Sequence, residues 1–297
     1  MTKVIVPIIF LLASYFINPV TGFENWELKP LGHYEIISDE PNLGGLSAIH
    51  ITNYGKTFLV LSDRGKYFSG KISRNASGQI KDLNIFKTGP LLNSFGEILS
   101  GRNTDSESIA ADHKGFYISF ESNNRIMHHK NINTSGIFLP NHSDFRKLNQ
   151  NKGLEAIAMH PNGTLYAVPE KPPEGDSDYP LYRLKNAKWE ILTRFDPSNS
   201  FLVSDAVFLP DGNLLLLERD YSWFTGFKTQ LRLLRLKNNY ISEEKILLKL
   251  DSGLHNYEGI SIWQDTSQTY FITLISDNNF IPFVMSEIIE YKLTKID

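Results

Sequence analysis

The chain of 297 residues has no cysteine, which removes disulfides, thiolate metal sites and cysteine nucleophiles together. It has no excess of positive charge either. A formal charge of −3 argues against a nucleic-acid partner held by general electrostatics. There is no P-loop, no H-E-x-x-H pair and no dinucleotide fingerprint. The nearest approach to a nucleophile elbow, Gly45-Leu46-Ser47-Ala48-Ile49, lacks its closing glycine. The eight histidines are scattered, so neither a histidine metal site nor a Ser-His-Asp triad is indicated. Helical periodicity is sustained nowhere. What remains is a turn-rich chain with 12% aromatic residues and many Gly, Asn, Asp and Pro, a composition that favours β-structure.

One apolar run stands out. Lys3 is followed by about fourteen apolar residues, then Asn18-Pro19 and the small residue Gly22. A spanning helix needs about 20 such residues, so the run reads as a cleaved export signal over residues 1–22. A single domain over 23–297 and a periplasmic or secreted location follow as expectations. An uncleaved N-terminal anchor is the alternative.

The rest of the chain repeats one unit, an apolar run, a turn and a second apolar run. Val203–Gly226 shows it most clearly, with Pro210-Asp211-Gly212-Asn213 as the turn. Similar units start around Ser47, Glu107, Glu155, Asp205 and Glu258, at spacings of 60, 48, 50 and 53 residues. Periods near fifty with several strands each predict an all-β propeller. Closing the circle through both termini gives five blades, with a strand near Gly32–Ile37 pairing with Glu287–Leu293. A sixth, degenerate blade in Lys87–Thr104 is the alternative.

In a propeller the first strand of each blade lines the channel. The hairpin ends then pair as Ser47/Asp63, Glu107/Glu121, Glu155/Glu170, Asp205/Glu218 and Glu258/Asp277, nine acids in ten positions. Crowded carboxylates raise one another's pKa, and a hard cation with oxygen ligands relieves the repulsion. Glu107, Glu155, Asp205 and Glu258 are the expected metal ligands, with calcium the expected ion. Arg64, Lys171 and Arg219 follow acids directly and suit an anionic substrate. The competing use of the acids is structural, bonding blade backbones or pairing with Arg64, Arg125, Lys171 and Arg219.

The pieces G-G-L-S-A-I, L-S-D-R-G, D-S-E-S-I-A, G-L-E-A-I-A, V-P-E-K-P, V-S-D-A-V-F, L-L-E-R-D, Y-E-G-I-S and L-I-S-D-N-N-F come in one order. With them the chain resembles the phytase-like family, described as having esterase-like activity of phytase, from about Leu43 to Phe283. The resemblance implies an exported β-propeller that hydrolyses phosphate or carboxylic esters. In its channel-facing acids the chain also looks like a distant relative of calcium-dependent propeller hydrolases. It departs from them at Ser47 and in lacking a lysine- and arginine-dense pocket, so phytate is not the expected substrate.

The expected function is hydrolysis of a small ester, phosphoesters included, at an acidic, cation-binding channel mouth. Glu155 and Asp205 are the expected catalytic acids, and Arg64, Lys171 and Arg219 would bind substrate. The partner is a small ester or anionic ligand. No nucleic acid, no membrane contact beyond the transient signal and a monomeric state are expected. The rival is a non-catalytic binding propeller whose loops, with Tyr179, Tyr221, Trp223, Phe224, Phe280 and Phe283, capture a ligand or protein.

Overall fold

The computed structural model describes residues 25–40, 43–281 and 284–296. The leader read over 1–22 and Phe283 lie outside these residues. Strand β1 (Asn25–Glu35) opens the described chain, and four complete blades follow. Blade one is β2 (Leu46–Thr52), β3 (Thr57–Ser62), β4 (Lys66–Arg74) and β5 (Ile80–Pro90). Blade two is β6 (Ser106–Asp112), β7 (Gly115–Phe120), β8 (Arg125–His129) and β9 (Gly136–Phe138). Blade three is β10 (Ala156–Met159), β11 (Leu165–Val168), β12 (Tyr179–Lys185) and β13 (Lys188–Phe195). Blade four is β14 (Leu202–Phe208), β15 (Leu214–Ser222), β16 (Gly226–Lys237) and β17 (Tyr240–Gly253). Blade five takes β18 (Asn256–Gln264), β19 (Tyr270–Asp277) and β20 (Glu287–Ile296), and β1 returns to complete it on the outside.

The closure pairs Gly32 with Glu290 and Glu35 with Glu287, as the spacing of the repeats predicts. The residues considered for a sixth blade form none. Lys87–Pro90 belong to β5, and beyond them lie two isolated bridges at Leu92 and a single 3₁₀ turn. Inner strands touch all the way round, β2 on β6, β6 on β10, β10 on β14, β14 on β18 and β18 on β2.

The core explains the ring. A four-stranded sheet has two faces, and each face here is covered by the next blade. Five hydrophobic clusters fill the five gaps between neighbouring blades. Blade four shows why its central strand is a continuous apolar run. Leu214 and Leu216 pack towards blade three, while Leu215 and Leu217 pack towards blade five, all four fully buried.

A bulge recurs where four inner strands begin. Register shifts fall between Leu46 and Ala48, Ser106 and Ile109, Val203 and Asp205, and Tyr257 and Gly259. A bulge leaves one residue out of the ladder and re-aims its side chain. Ser47, Glu107, Ser204 and Glu258 therefore share one position, and Glu155, just before β10, takes it in blade three.

Candidate functional site: an acidic mouth with one arginine

The register also aligns the hairpin exits. Asp63 bonds back to Gly45, Glu121 to Asp105 and Glu170 to Gly153, while Arg219 pairs with Leu202 and Asp277 with Asn256. The structure thus corrects the alignment in blade four. Ser204, not Asp205, is the equivalent of Glu107, Glu155 and Glu258, and Arg219, not Glu218, is the equivalent of Asp63, Glu121, Glu170 and Asp277. A one-residue slip on a strand turns a side chain to the other face. Seven of the ten positions are acidic, and blade four supplies a serine and an arginine instead.

Asp205 lies one residue deeper along the channel and is fully buried. Its carboxylate accepts from Ser108 Oγ at 2.6 Å, Ala206 N at 2.8 Å and Ile260 N at 2.9 Å, which ties blades two, four and five together. Burial pushes it up to about 8 against the pull of those three donors, and no neighbouring carboxylate acts on it. The structure does not bring Asp205 into the acid cluster. Glu218 is also buried, inside blade four, where Arg232 at 2.6 Å and Gln230 at 2.7 Å hold it.

The acids that do converge form two overlapping groups. Asp105, Glu107 and Glu121 each offer an oxygen within 4.8 Å of the others, and Glu121, Glu155 and Glu170 do the same. Oxygens about 2.3–2.6 Å from one calcium ion lie at most about 5 Å apart, so either group fits one ion. Of the four expected ligands, Glu107 falls in the first group and Glu155 in the second. Glu258 pairs instead with Arg219 Nη1 at 3.1 Å and accepts from Asn256 Nδ2 at 2.7 Å. Asp105, Glu121 and Glu170 complete the groups. Their signal was the acid beginning the second unit and the acids just past the second strands.

Electrostatics follow from the crowding. Burial, then Glu258, Asp105 and other acids, pushes Glu107 well above the usual carboxylate range. Glu155 is raised in the same way by burial, Glu107 and Glu170, against Arg219. Glu121 and Asp277 are each pushed up to about 7 and Asp63 to about 6, burial being the largest cause each time. Arg219 is the counterweight. Its Nη2 stands 3.2 Å from Glu170 and 3.8 Å from Glu155, and its Nη1 reaches Glu258. Arg219 Nε, Glu170 Oε2 and Ser204 Oγ are buried without a hydrogen-bond partner.

Arg64 and Lys171 are exposed at the exit turns of blades one and three. The Arg64 guanidinium lies 3.3 Å over the Phe280 ring. Gly45, at φ 61°, sits beneath that ring, where a Cβ would collide with Asp63 and Phe280. Tyr179 is buried, stacked on Phe195, and donates to the Glu170 carbonyl at 2.8 Å, so it belongs to the core and not to a capture loop. A half-open cavity of ≈ 180 Å³ lies at the opposite end of the channel, among Ile109, Ile157, Phe208 and Ile262. Its lining side chains are apolar apart from His50 and Ser261, and it holds none of the clustered acids.

Five antiparallel blades closed by both chain ends, around a mouth of carboxylates and one arginine, define a β-propeller with an anionic central site. The chain belongs to the phytase-like family, whose model, described as esterase-like activity of phytase, matches residues 41–280. Among curated proteins none matches. Several solved structures are similar. A PQQ-bound aldose sugar dehydrogenase from Streptomyces coelicolor is 12% identical, with 89% of this chain and 98% of that one covered, at a TM-score of 0.49. A glucose dehydrogenase gives 10%, 89% and 99% at 0.49. A luciferin-regenerating enzyme gives 11%, 88% and 94% at 0.44. Similarities at this level carry no weight for the chemistry of this chain.

Proposed function

We propose that this protein is an exported hydrolase of small esters, phosphoesters included, working at the acidic mouth with a bound divalent cation. The observation that carries the reading is the pair of carboxylate groups sharing Glu121, the second of which includes Glu170 with one buried oxygen lacking a hydrogen-bond partner. An all-oxygen donor set of this kind suits calcium. Asp105, Glu107, Glu121, Glu155 and Glu170 would hold the ion, which when bound polarises an ester oxygen and lowers the pKa of a coordinated water.

The remaining roles belong to the chain. Glu155, buried at the mouth within reach of Glu121 and Glu170, is the proton acceptor once ionised beside the cation. Arg219 fixes Glu155 and Glu258 in place and offsets their charge. Arg64 and Lys171, exposed beside the mouth, take the anionic end of the substrate. Asp205 keeps the inner strands in register below them.

Turnover of a panel of carboxylic and phosphate esters with calcium and with chelator tests the reading. Glu155→Gln should lower kcat by at least about 100-fold, and unchanged turnover in that variant would sink the mechanism. The exposed Trp223–Phe224 tip favours the second reading, a non-catalytic binding propeller. Calcium binding with no turnover on any ester selects it. Export to the periplasm or beyond is checked by fractionation and N-terminal sequencing, and the monomeric state by sedimentation.

A further inference from the structure

Blade four differs from its neighbours in height as well as charge. In blades one, two, three and five the ladder between the second and third strands stops before the mouth position. In blade four it continues past Arg219 through Asp220↔Lys228, Tyr221↔Phe227 and Ser222↔Gly226. Three further rungs at about 3.3 Å each raise the hairpin roughly 10 Å above the carboxylates. Its apolar side chains are not covered. Tyr221 is 56% exposed, Trp223 85% and Phe224 94%.

Alternation along β15 puts Tyr221 on the same face as Arg219, about 7 Å further up. That is the face Arg219 uses to reach Glu258 and Asn256 of blade five. The Tyr221 ring lies 4.9 Å from that of Phe227, so two rings stand side by side above the arginine. The face thus offers a charged foot and an aromatic wall one short step apart.

We infer that this hairpin binds the apolar part of an amphiphilic ester whose polar end reaches the acidic mouth. The identity of the polar end rests on the proposed hydrolase reading; the wall itself does not. Trp223 supplies the probe, because Trp26, Trp189 and Trp263 are all buried.

Monomeric alkyl phosphates from butyl to octyl are titrated into the whole protein, with inorganic phosphate as control, while Trp223 emission and acrylamide quenching are followed. A blue shift and shielding that saturate are expected, with affinity rising about three- to fourfold per methylene. Inorganic phosphate should leave Trp223 unshielded. Tyr221→Ser should flatten the chain-length dependence without changing the melting temperature, and Trp223→Phe should remove the signal but keep that dependence in calorimetry. Equal affinity across the series with Trp223 unshielded overturns the wall. Shielding by phosphatidylcholine vesicles alone, with none by monomers, also overturns it and assigns the tip to a membrane surface. Chain-length-dependent binding without turnover keeps the wall and removes the hydrolase, whereas turnover indifferent to chain length does the reverse.

Discussion

Blades two and four hold the same backbone at the mouth and opposite chemistry. Blade two places Asp105, Glu107 and Glu121 where blade four places Leu202, Ser204 and Arg219. The fold decides where a side chain arrives, and the sequence of each blade decides what arrives there. One half of the mouth is thereby neutralised from within by a guanidinium bound to three carboxylates. The other half, Asp105, Glu107 and Glu121, keeps oxygens within one ion's reach of each other, with the buried Arg125 acting on Asp105 from within the same blade. The difference makes blade four the anchor and blade two the receptor.

The largest test is to abolish the difference. Arg219→Glu gives blade four the acid of its neighbours, so three carboxylates lose their partner and gain a repelling charge. It should cost about 3–5 kcal/mol in chelator, read as a drop in melting temperature that calcium partly restores. An unchanged melting temperature would mean that Arg219 is not the counterweight.

A somewhat smaller effect comes from blade two. Calcium at about 100 times its Kd should stabilise the protein by about 2.7 kcal/mol, a rise of several degrees. Asp105→Asn with Glu121→Gln should remove most of that rise and leave the melting temperature in chelator unchanged or higher. Asp205→Asn, outside the cluster, should lower stability in both conditions and keep the calcium increment. If Asp205→Asn alone erases the increment, the boundary between mouth and channel is misplaced.

The smallest effect is in pH. Glu121 and Asp277 are pushed up to about 7 and Asp63 to about 6, above the range of about 4 in an unfolded chain. Raised carboxylates contribute stability that is full below about pH 4 and is lost as pH rises through 6–7. In chelator the melting temperature should therefore fall between pH 5 and 7.5. The calcium increment should grow over the same interval, because the ion binds only ionised carboxylates. An increment larger at pH 5 would contradict the assignment.

The propeller was legible because the repeat states itself five times in strands, turns and spacing. Blade four's chemistry was not, because Val203-Ser204-Asp205 and Glu218-Arg219 each offer an acid one residue away from the functional register. The buried residue before the bulge was the better guide. Leu46, Leu154, Val203 and Tyr257 are all buried, and the residue after each is the one that faces the mouth. Counting from that anchor yields Ser204 directly. The grouping of Asp105 with Glu107 and Glu121 needed three dimensions, since Glu121 approaches through a hairpin and not through spacing along one strand.

Blade five is built from both ends of the chain, with Asn25 opposite Ile296 and Glu35 opposite Glu287. No part of that strand pair can form until the C-terminal strand has been synthesised and has met a partner laid down at the start. Closing so long a loop is entropically late and raises the mean sequence separation of contacts, which slows folding. Until then the inner strands are an open crescent, and Asp277, supplied by that last blade, stands apart from Asp63, supplied by the first. The mouth is therefore finished only when the ring is, whereas the proposed ion ligands all come from the adjacent blades two and three, so cation affinity should appear during refolding before the ring closes.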